Sequence, residues 1–388
     1  MEHWELIAPC HFGMESVLKN EIYDLGYDPT EVEDGRVTFL GDARAVAEAN
    51  LSLRTAERIL LKVGAFPATS FEELYQGTKA LPWEAFLPRD ARFWVTKAAS
   101  VKSKLFSPSD IQSVMKKAMV DRLSGVYGIR QFPEDGASFP LRVFIKNDLV
   151  TVAIDTTGES LHKRGYRKWK VKAPIAENLA AGLLMLTPWK PDRILVDPFC
   201  GSGTFPIEAA MRAAQLAPGL TREFTAMQWD GLVGASLWKE AREEARAQAD
   251  LSVKTDIQGY DIDPGAIDAA RANARLAGVD HLIHFQVRDV AALSHPKKYG
   301  FLITNPPYGE RLLEEDKETL RGLYRTLGER FRAMEDWSMY IITAYEDCGR
   351  DVGRKAAKNR KIYNGMMRTY FYSFPGARPP HKTQKERT

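Results

Sequence analysis

From Pro174 onward, short apolar runs alternate with helical stretches, and this alternation limits the possible fold more than any other feature. The runs are Arg193-Ile-Leu-Val-Asp197, Ile257-Gln-Gly-Tyr-Asp261, Ile283-His-Phe-Gln-Val287, Phe301-Leu-Ile-Thr-Asn305 and Met339-Tyr-Ile-Ile-Thr343. Strands separated by helices in this way need a mostly parallel sheet covered on both faces, an α/β fold. The first helix is predicted to open at Pro174, to carry Ile175, Leu179, Leu183 and Leu186 on one face, and to close before Pro188. Near the end the rule changes. Asn364-Gly365, a preferred two-residue hairpin turn, lies between the β-rich runs of Lys361 to Phe374, so an antiparallel strand should finish the sheet.

The half before Asp155 reads differently. Arg36-Val-Thr-Phe-Leu40 and Arg142-Val-Phe-Ile145 have strand character. Asp110 to Leu123 reads as a helix capped by Asp110, with Ile111, Val114, Met115, Ala118 and Met119 on one face. This is an α+β pattern, expected as two small units parted near Ala65 to Ser70. The composition, with 44% hydrophobic and 27% charged residues among 388, is ordinary for folded domains. Three widely spaced cysteines, Cys10, Cys200 and Cys348, give neither a disulfide framework nor a zinc pair. No apolar run reaches the ~18 residues of a membrane span, and the N-terminus lacks a secretory pattern. A cytoplasmic protein is expected, without membrane or metal partners.

With 54 Lys and Arg against 51 Asp and Glu, any nucleic-acid surface must be local. Leu161-His-Lys-Arg-Gly-Tyr-Arg-Lys-Trp-Lys-Val-Lys172 is the one strong candidate. Lys163, Arg164, Arg167, Lys168, Lys170 and Lys172 are interleaved with Tyr166 and Trp169, and no carboxylate interrupts them. Such a run can be a solvated face. It can equally neutralise phosphates and stack bases.

Four motifs carry the chemistry. Asp197-Pro-Phe-Cys-Gly-Ser-Gly-Thr204 follows the first run, and Gly201 and Gly203 allow a tight turn and close approach to a ligand. Pro206 stands where a dinucleotide site needs its third glycine, and no P-loop lysine follows. An acid before the turn suits a ligand with a cationic amino-acid end, although the turn could also merely pack a helix. Gly259-Tyr-Asp-Ile-Asp-Pro264 places Asp261 at a strand tip, where a carboxylate accepts both hydroxyls of a ribose or caps a helix. Asp263 reads as the helix cap, with Pro264 first in the helix and Gly278 after its end. Asp289, after the third run, can accept an adenine amino group.

Asn305-Pro-Pro-Tyr308 is the most specific of the four. Pro306 and Pro307 stiffen the loop, and the Asn305 side-chain oxygen and Pro306 carbonyl can accept both hydrogens of one exocyclic amine. Tyr308 offers a flat face to the ring bearing that amine. Cys200 has no activating base nearby in sequence and reads as a small buried residue. His281 and His284 have no further ligand set.

Together with Thr304-Asn-Pro-Pro-Tyr-Gly-Glu-Arg-Leu312, these motifs resemble the class I S-adenosylmethionine-dependent methyltransferases that act on amino groups. With Leu161-His-Lys-Arg-Gly-Tyr-Arg167 upstream, the chain looks like the bacterial large-subunit ribosomal RNA guanine-N2 methyltransferases, the RlmL/YpsC group. The resemblance implies a ferredoxin-like domain over residues 1–66, a THUMP RNA-binding domain over 67–160, a basic linker over 161–173 and a Rossmann-like methyltransferase domain over 174–388. It also implies that Gly201 and Gly203 meet the methionine end of the cofactor, and that Asp197 and Thr204 belong to the same cofactor site. By the same resemblance, Asp261 meets the ribose, Ile262 and Asp289 the adenine, and Glu177 closes over the site. Asn305, Pro306, Pro307 and Tyr308 would hold the target amine, and Lys163, Arg164, Tyr166, Arg167 and Lys168 the 23S rRNA. Some members carry a second methyltransferase domain; with Thr388 last, only the first activity is expected. Asn-Pro-Pro-Tyr also occurs with adenine-N6 or glutamine amines as targets, and a silent RNA-binding protein is the remaining alternative. The stretch from Pro218 to Asp256, with a helix expected over Trp238 to Leu251, departs from the simplest pattern and has no chemistry assigned.

Overall fold

Among the described residues, two seven-stranded sheets organise the chain, each in its own unit. The computed structural model describes residues 3–169, 174–308, 314–365 and 367–379. Lys170, Lys172 and the motif residues Gly309 to Leu312 lie outside the described residues. The first unit comprises Met1–Cys10, Leu18–Leu161 and Thr221–Ala245; the second comprises His11–Val17, His162–Leu220 and Arg246–Thr388.

In the first unit the strands are β1 (Trp4–Pro9), β2 (Pro29–Glu33), β3 (Arg36–Gly41), β4 (Leu60–Pro67), β5 (Arg92–Val101), β6 (Ser138–Lys146) and β7 (Leu149–Asp155). Their order is β2-β3-β1-β4-β7-β6-β5, antiparallel except for β5 beside β6. The expected parting near Ala65 to Ser70 falls at the end of β4. That strand pairs with β1 on one side and β7 on the other, so one sheet runs through both parts. Along β6, Phe139, Leu141, Val143 and Ile145 enter the core while Arg142 and Lys146 do not, the period-two signature of a sheet with one packed face. The helix expected from Asp110 runs Pro108–Tyr127 instead. Proline's fixed φ suits the first helical position, so the helix starts there, and Asp110 sits within its first turn.

Much of the unassigned stretch from Pro218 to Asp256 finds its place here. Thr221–Ala245 belongs to the first unit. Trp229 stacks on Phe139 at 4.8 Å and donates its indole N–H to the Ser138 carbonyl at 2.8 Å. Phe224 stacks on Trp238 in the helix Ala235–Gln248, so the aromatic residues of the segment anchor it.

In the second unit the strands are β8 (Leu195–Asp197), β9 (Ile257–Asp261), β10 (Ile283–Val287), β11 (Phe301–Thr304), β12 (Ser338–Thr343), β13 (Lys358–Asn364) and β14 (Met367–Phe374). The order β10-β9-β8-β11-β12-β14-β13 is parallel through β12 and antiparallel after it. The antiparallel finish thus consists of a whole hairpin, with Gly365 at φ +64° in its turn. Val196, Leu302, Met339 and Ile341 form the centre of one core layer with Tyr324, Leu327 and Phe331 of the helix Glu314–Ala333. The helix expected at Pro174 begins at Glu177. The Ile175 carbonyl accepts Nη1 of Arg167 at 2.6 Å, and Ala176 before the helix keeps an extended backbone.

Candidate active site

Strand order reverses between β8 and β11, and open α/β sheets bind ligands at the strand tips beside such a reversal. Asp197 ends β8 and Thr304 ends β11, and the Thr304 hydroxyl donates to Asp197 Oδ1 at 2.5 Å. The same oxygen accepts the Phe199 N–H at 3.1 Å. Asp197 is 2% exposed, and its carboxyl is pushed up to about 7. Burial dominates that shift; the Thr304 and Phe199 bonds oppose it, and the charge of Asp261 adds to it.

The turn after β8 is tied to β9. The Cys200 N–H donates to the Tyr260 carbonyl at 2.8 Å, and the Gly201 N–H to Asp261 Oδ2 at 2.9 Å. Gly201 at φ +51° and Gly203 at φ +85° occupy the left-handed region that favours glycine. A Cβ on Gly203 would stand 3.0 Å from that of Ala270, so this glycine also lets two helices approach. Thr204 is buried at the start of the helix Thr204–Ala213. Burial, reinforced by Asp197 and Asp261, raises the Cys200 thiol well above its ordinary range, which suits an inert side chain.

Asp261 Oδ1 accepts the Asp263 N–H at 3.0 Å, so each oxygen holds one backbone donor and keeps a lone pair for a ligand. Asp263 caps Pro264–Ala277 as expected, through a bond from the Gly265 N–H, and Gly278 closes that helix at φ +72°. Ile262 between them is 67% exposed, an apolar surface at the edge of the site. Asp289 follows β10 and caps a short turn by accepting the Ala291 N–H at 2.7 Å. Parallel register aligns the tips, with Val287 beside Asp261 and Gly259 beside Asp197. Carboxylates at or just beyond the tips of three neighbouring strands, an exposed isoleucine and two left-handed glycines fit a ligand bearing an ammonium, a diol and a flat heteroaromatic ring.

At the tip of β11, Asn305 Oδ1 is buried and has no hydrogen-bond partner among the described residues. Native proteins rarely leave a buried acceptor unpaired, because the desolvation penalty is then uncompensated. The rest of the loop is braced. The Tyr324 hydroxyl, 2.7 Å from Thr343 Oγ1, donates to the Pro307 carbonyl at 3.4 Å. The Tyr308 hydroxyl accepts Asn364 Nδ2 from the terminal hairpin at 3.2 Å. Thr304, Tyr324 and Asn364 were not among the sequence candidates. Only for Thr304 was there a signal, namely its place beside Asn305 on a strand pairing with β8.

The basic linker divides into two faces. Arg164 and Tyr166, expected on RNA, are each 3% exposed. Arg164 Nε lies 3.4 Å from Glu208 Oε1, and the Tyr166 hydroxyl donates to that oxygen at 3.0 Å. A buried carboxylate needs such partners, so these two residues serve the interior of the unit and are removed from the RNA set. Arg167 is turned inward as well, with Nη2 2.9 Å from Glu177 Oε2. Burial raises the Glu177 carboxyl to about 7 against the pull of Arg167, and Glu177 thus holds the linker rather than standing free above the turn. Lys163, Lys168 and Trp169 are exposed. Asn273, missed in the sequence and fully buried, accepts the Lys168 and Trp169 N–H groups at 3.2 Å and donates to the Ser202 carbonyl at 3.1 Å. It couples the linker to the glycine turn.

Among the described residues, no group of three or more His, Cys, Asp or Glu is arranged to hold a metal, and no helix is long and apolar enough to cross a membrane. Residues 164–372 match the RMKL-like methyltransferase domain, 5–60 the RlmL ferredoxin-like domain and 68–155 the THUMP domain. The chain is 40% identical over 388 residues to YpsC of Bacillus subtilis (strain 168), an RNA methyltransferase candidate, covering 100% of both. It is 37% identical over 390 residues to the ribosomal RNA large subunit methyltransferase K/L of Syntrophotalea carbinolica, covering 95% of this chain and 53% of that one. The crystal structure of SMU.472, a methyltransferase candidate complexed with S-adenosylhomocysteine, is 42% identical with a TM-score of 0.91, covering 98% of this chain and 100% of that one. The cofactor is therefore S-adenosylmethionine, and the chain belongs to the RMKL-like methyltransferase family.

Proposed function

We propose that this chain transfers a methyl group from S-adenosylmethionine to the exocyclic N2 amine of a guanine in 23S ribosomal RNA, in the cytoplasm. The observation that carries the reading is the buried Asn305 Oδ1 at the tip of β11, which has no hydrogen-bond partner among the described residues. An amine hydrogen satisfies that acceptor. The RNA-directed part draws support from the THUMP match and from the names of the relatives. The choice of guanine N2 draws on the sequence resemblance.

When bound, S-adenosylmethionine supplies an electrophilic methyl group on a sulfonium, so the protein's task is placement. Asp197, Gly201, Gly203 and Thr204 would hold its amino-acid end, Asp261 its ribose, and Ile262 and Asp289 its adenine. Asn305 Oδ1 and the Pro306 carbonyl accept the two hydrogens of the target amine, which aims the nitrogen lone pair. Tyr308, steadied by Asn364, sets the plane of the base. Orientation of this kind can supply roughly 7–11 kcal/mol of the barrier. Pro306 and Pro307, braced by Tyr324, keep the acceptors fixed during the reaction. The target base must be unstacked to enter, at a cost of a few kcal/mol. Lys163, Lys168 and Trp169 on the exposed linker face contribute phosphate and base contacts.

The test is transfer of labelled methyl from S-adenosylmethionine to protein-free 23S rRNA by the purified chain, followed by nucleoside chromatography. Label in N2-methylguanosine is the expected result. Label in N6-methyladenosine would assign the amine to adenine, and no label in any RNA would overturn the reading.

A further inference from the structure

A cleft of about 390 Å³ opens within the first unit, and none of the roles assigned above uses it. Arg142 lies on its floor, two residues along β6 from Pro140 and on the same face. Arg142 Nε and Arg58 Nη1 share one oxygen of Asp155, at 3.0 and 2.8 Å. The other Asp155 oxygen accepts the N–H groups of Thr157 and Gly158. Among the described residues that line the cleft, Asp155 is the only acid, so two guanidinium groups face one fully engaged carboxylate and the lining itself keeps a positive charge; Glu57, outside the lining, also acts on Arg58. Among the described residues, no hydrogen bond involves the Arg142 Nη atoms. Burial lowers the Arg58 pKa, Asp155 opposes this, and the Arg142 charge lowers it further; an anion in the cleft would relieve that repulsion.

The wall is aromatic. Trp94 on β5 is 39% exposed and stands in register with Pro140 on β6, forming a flat apolar step beside the guanidinium groups. The rim comes from the segment without assigned chemistry. Gln228 spends its Oε1 on the Ser138 N–H at 3.0 Å, while its amide nitrogen has no partner among the described residues. The Trp229 stack on Phe139 holds Gln228 in place. Positive charge with fork-shaped donors, a flat wall and one amide donor is a recognition set for a phosphate with its adjoining planar base. The volume suits one nucleotide.

We propose that this cleft is a second RNA-binding site, which takes a single unpaired nucleotide with its phosphate on Arg142 and Arg58 and its base on Trp94. The proposal rests on RNA being the substrate, and it gives the segment Thr221–Ala245 a function, as the rim that reads the base edge. The test uses the full chain and a fluorescent single-stranded heptaribonucleotide. Trp94→Ala should weaken binding about tenfold, Trp94→Phe should recover most of the loss, and Gln228→Ala should weaken binding severalfold. Arg142→Gln should lower the slope of log affinity against log salt by about 0.7. Because Arg142→Gln strips a partner from Asp155 and can unfold the unit, melting curves accompany each variant, and the Trp94 and Gln228 variants decide the matter alone. Wild-type binding by folded Trp94→Ala and Gln228→Ala proteins would overturn the proposal. Displacement of the heptamer by adenosine monophosphate at equal concentration would assign the cleft to free nucleotides and also overturn it. Methyl transfer to rRNA is measured in parallel. Trp94-dependent binding without any transfer would retire the reaction and keep the cleft, and transfer with Trp94-independent binding would do the reverse.

Discussion

Asn305→Ala should separate stability from activity, moving them in opposite directions. The buried Oδ1 has no partner among the described residues, and an unpaired buried amide acceptor costs about 1–3 kcal/mol. Truncation removes that penalty together with a little packing, so the free protein should be as stable as wild type or more stable by about 1 kcal/mol. For a unit of this size that is a rise of roughly 2–4 °C in melting temperature. The acceptor acts on the target amine, so its loss falls on the transition state, and transfer should drop about a hundredfold, or about 2.7 kcal/mol. Scanning calorimetry reads the first effect and single-turnover transfer of labelled methyl the second, with S-adenosylmethionine affinity as a control that should not change. A variant that melts well below wild type and still transfers within about threefold would refute the reasoning, because Asn305 would then be a structural residue.

Asp261→Ala should weaken S-adenosylmethionine binding by about 1.5–3 kcal/mol in calorimetry, and Asp261→Asn by less, because an amide oxygen can still accept the Gly201 N–H. With the Asp197 carboxyl at about 7, the form that attracts an ammonium is lost as pH falls through that value. Cofactor affinity should therefore rise with pH up to about 7 and level off above it, whereas Asp197→Asn should flatten the profile; a flat wild-type profile between pH 5.5 and 8 would remove Asp197 from the site. Arg164→Ala takes the paired cation from the buried Glu208 carboxylate, leaving it the Tyr166 hydroxyl, and should destabilise the second unit by about 3–5 kcal/mol in denaturant melts. Lys163→Ala with Lys168→Ala should lower the salt slope of RNA binding by about 0.7–0.9 for each lysine; an unchanged slope would make the exposed face merely solvated.

Local chemistry was legible in the sequence. Ile257–Asp261 and Ile283–Val287 form strands with the expected bounds, and Asp263, Pro264 and Gly278 delimit their helix, because alternation and caps act over a few residues. The tips of β8 and β11 were recognisable for the same reason. What the linker does was not legible. Its cations look alike along the chain, and Arg164 turns inward toward a buried carboxylate on Glu208, 44 residues away. The same holds for Asn273, an unremarked polar residue on a helix whose partners are the linker backbone and Ser202. The Pro174 start failed because a tertiary bond from Arg167 to the Ile175 carbonyl outweighed a local preference. Pro218 to Asp256 read as an insertion with a charged helix over Trp238 to Leu251; the helix runs Ala235–Gln248, and nothing local shows that Trp229 will meet Phe139.

The most direct test of the central claim is mass spectrometry of 23S rRNA nucleosides from otherwise identical cells with and without this protein. The account predicts that one N2-methylguanosine disappears in its absence and returns when the wild-type chain, but not the Asn305→Ala chain, is supplied. Unchanged N2-methylguanosine with loss of an N6-methyladenosine, or no change in any methylated nucleoside, would contradict it.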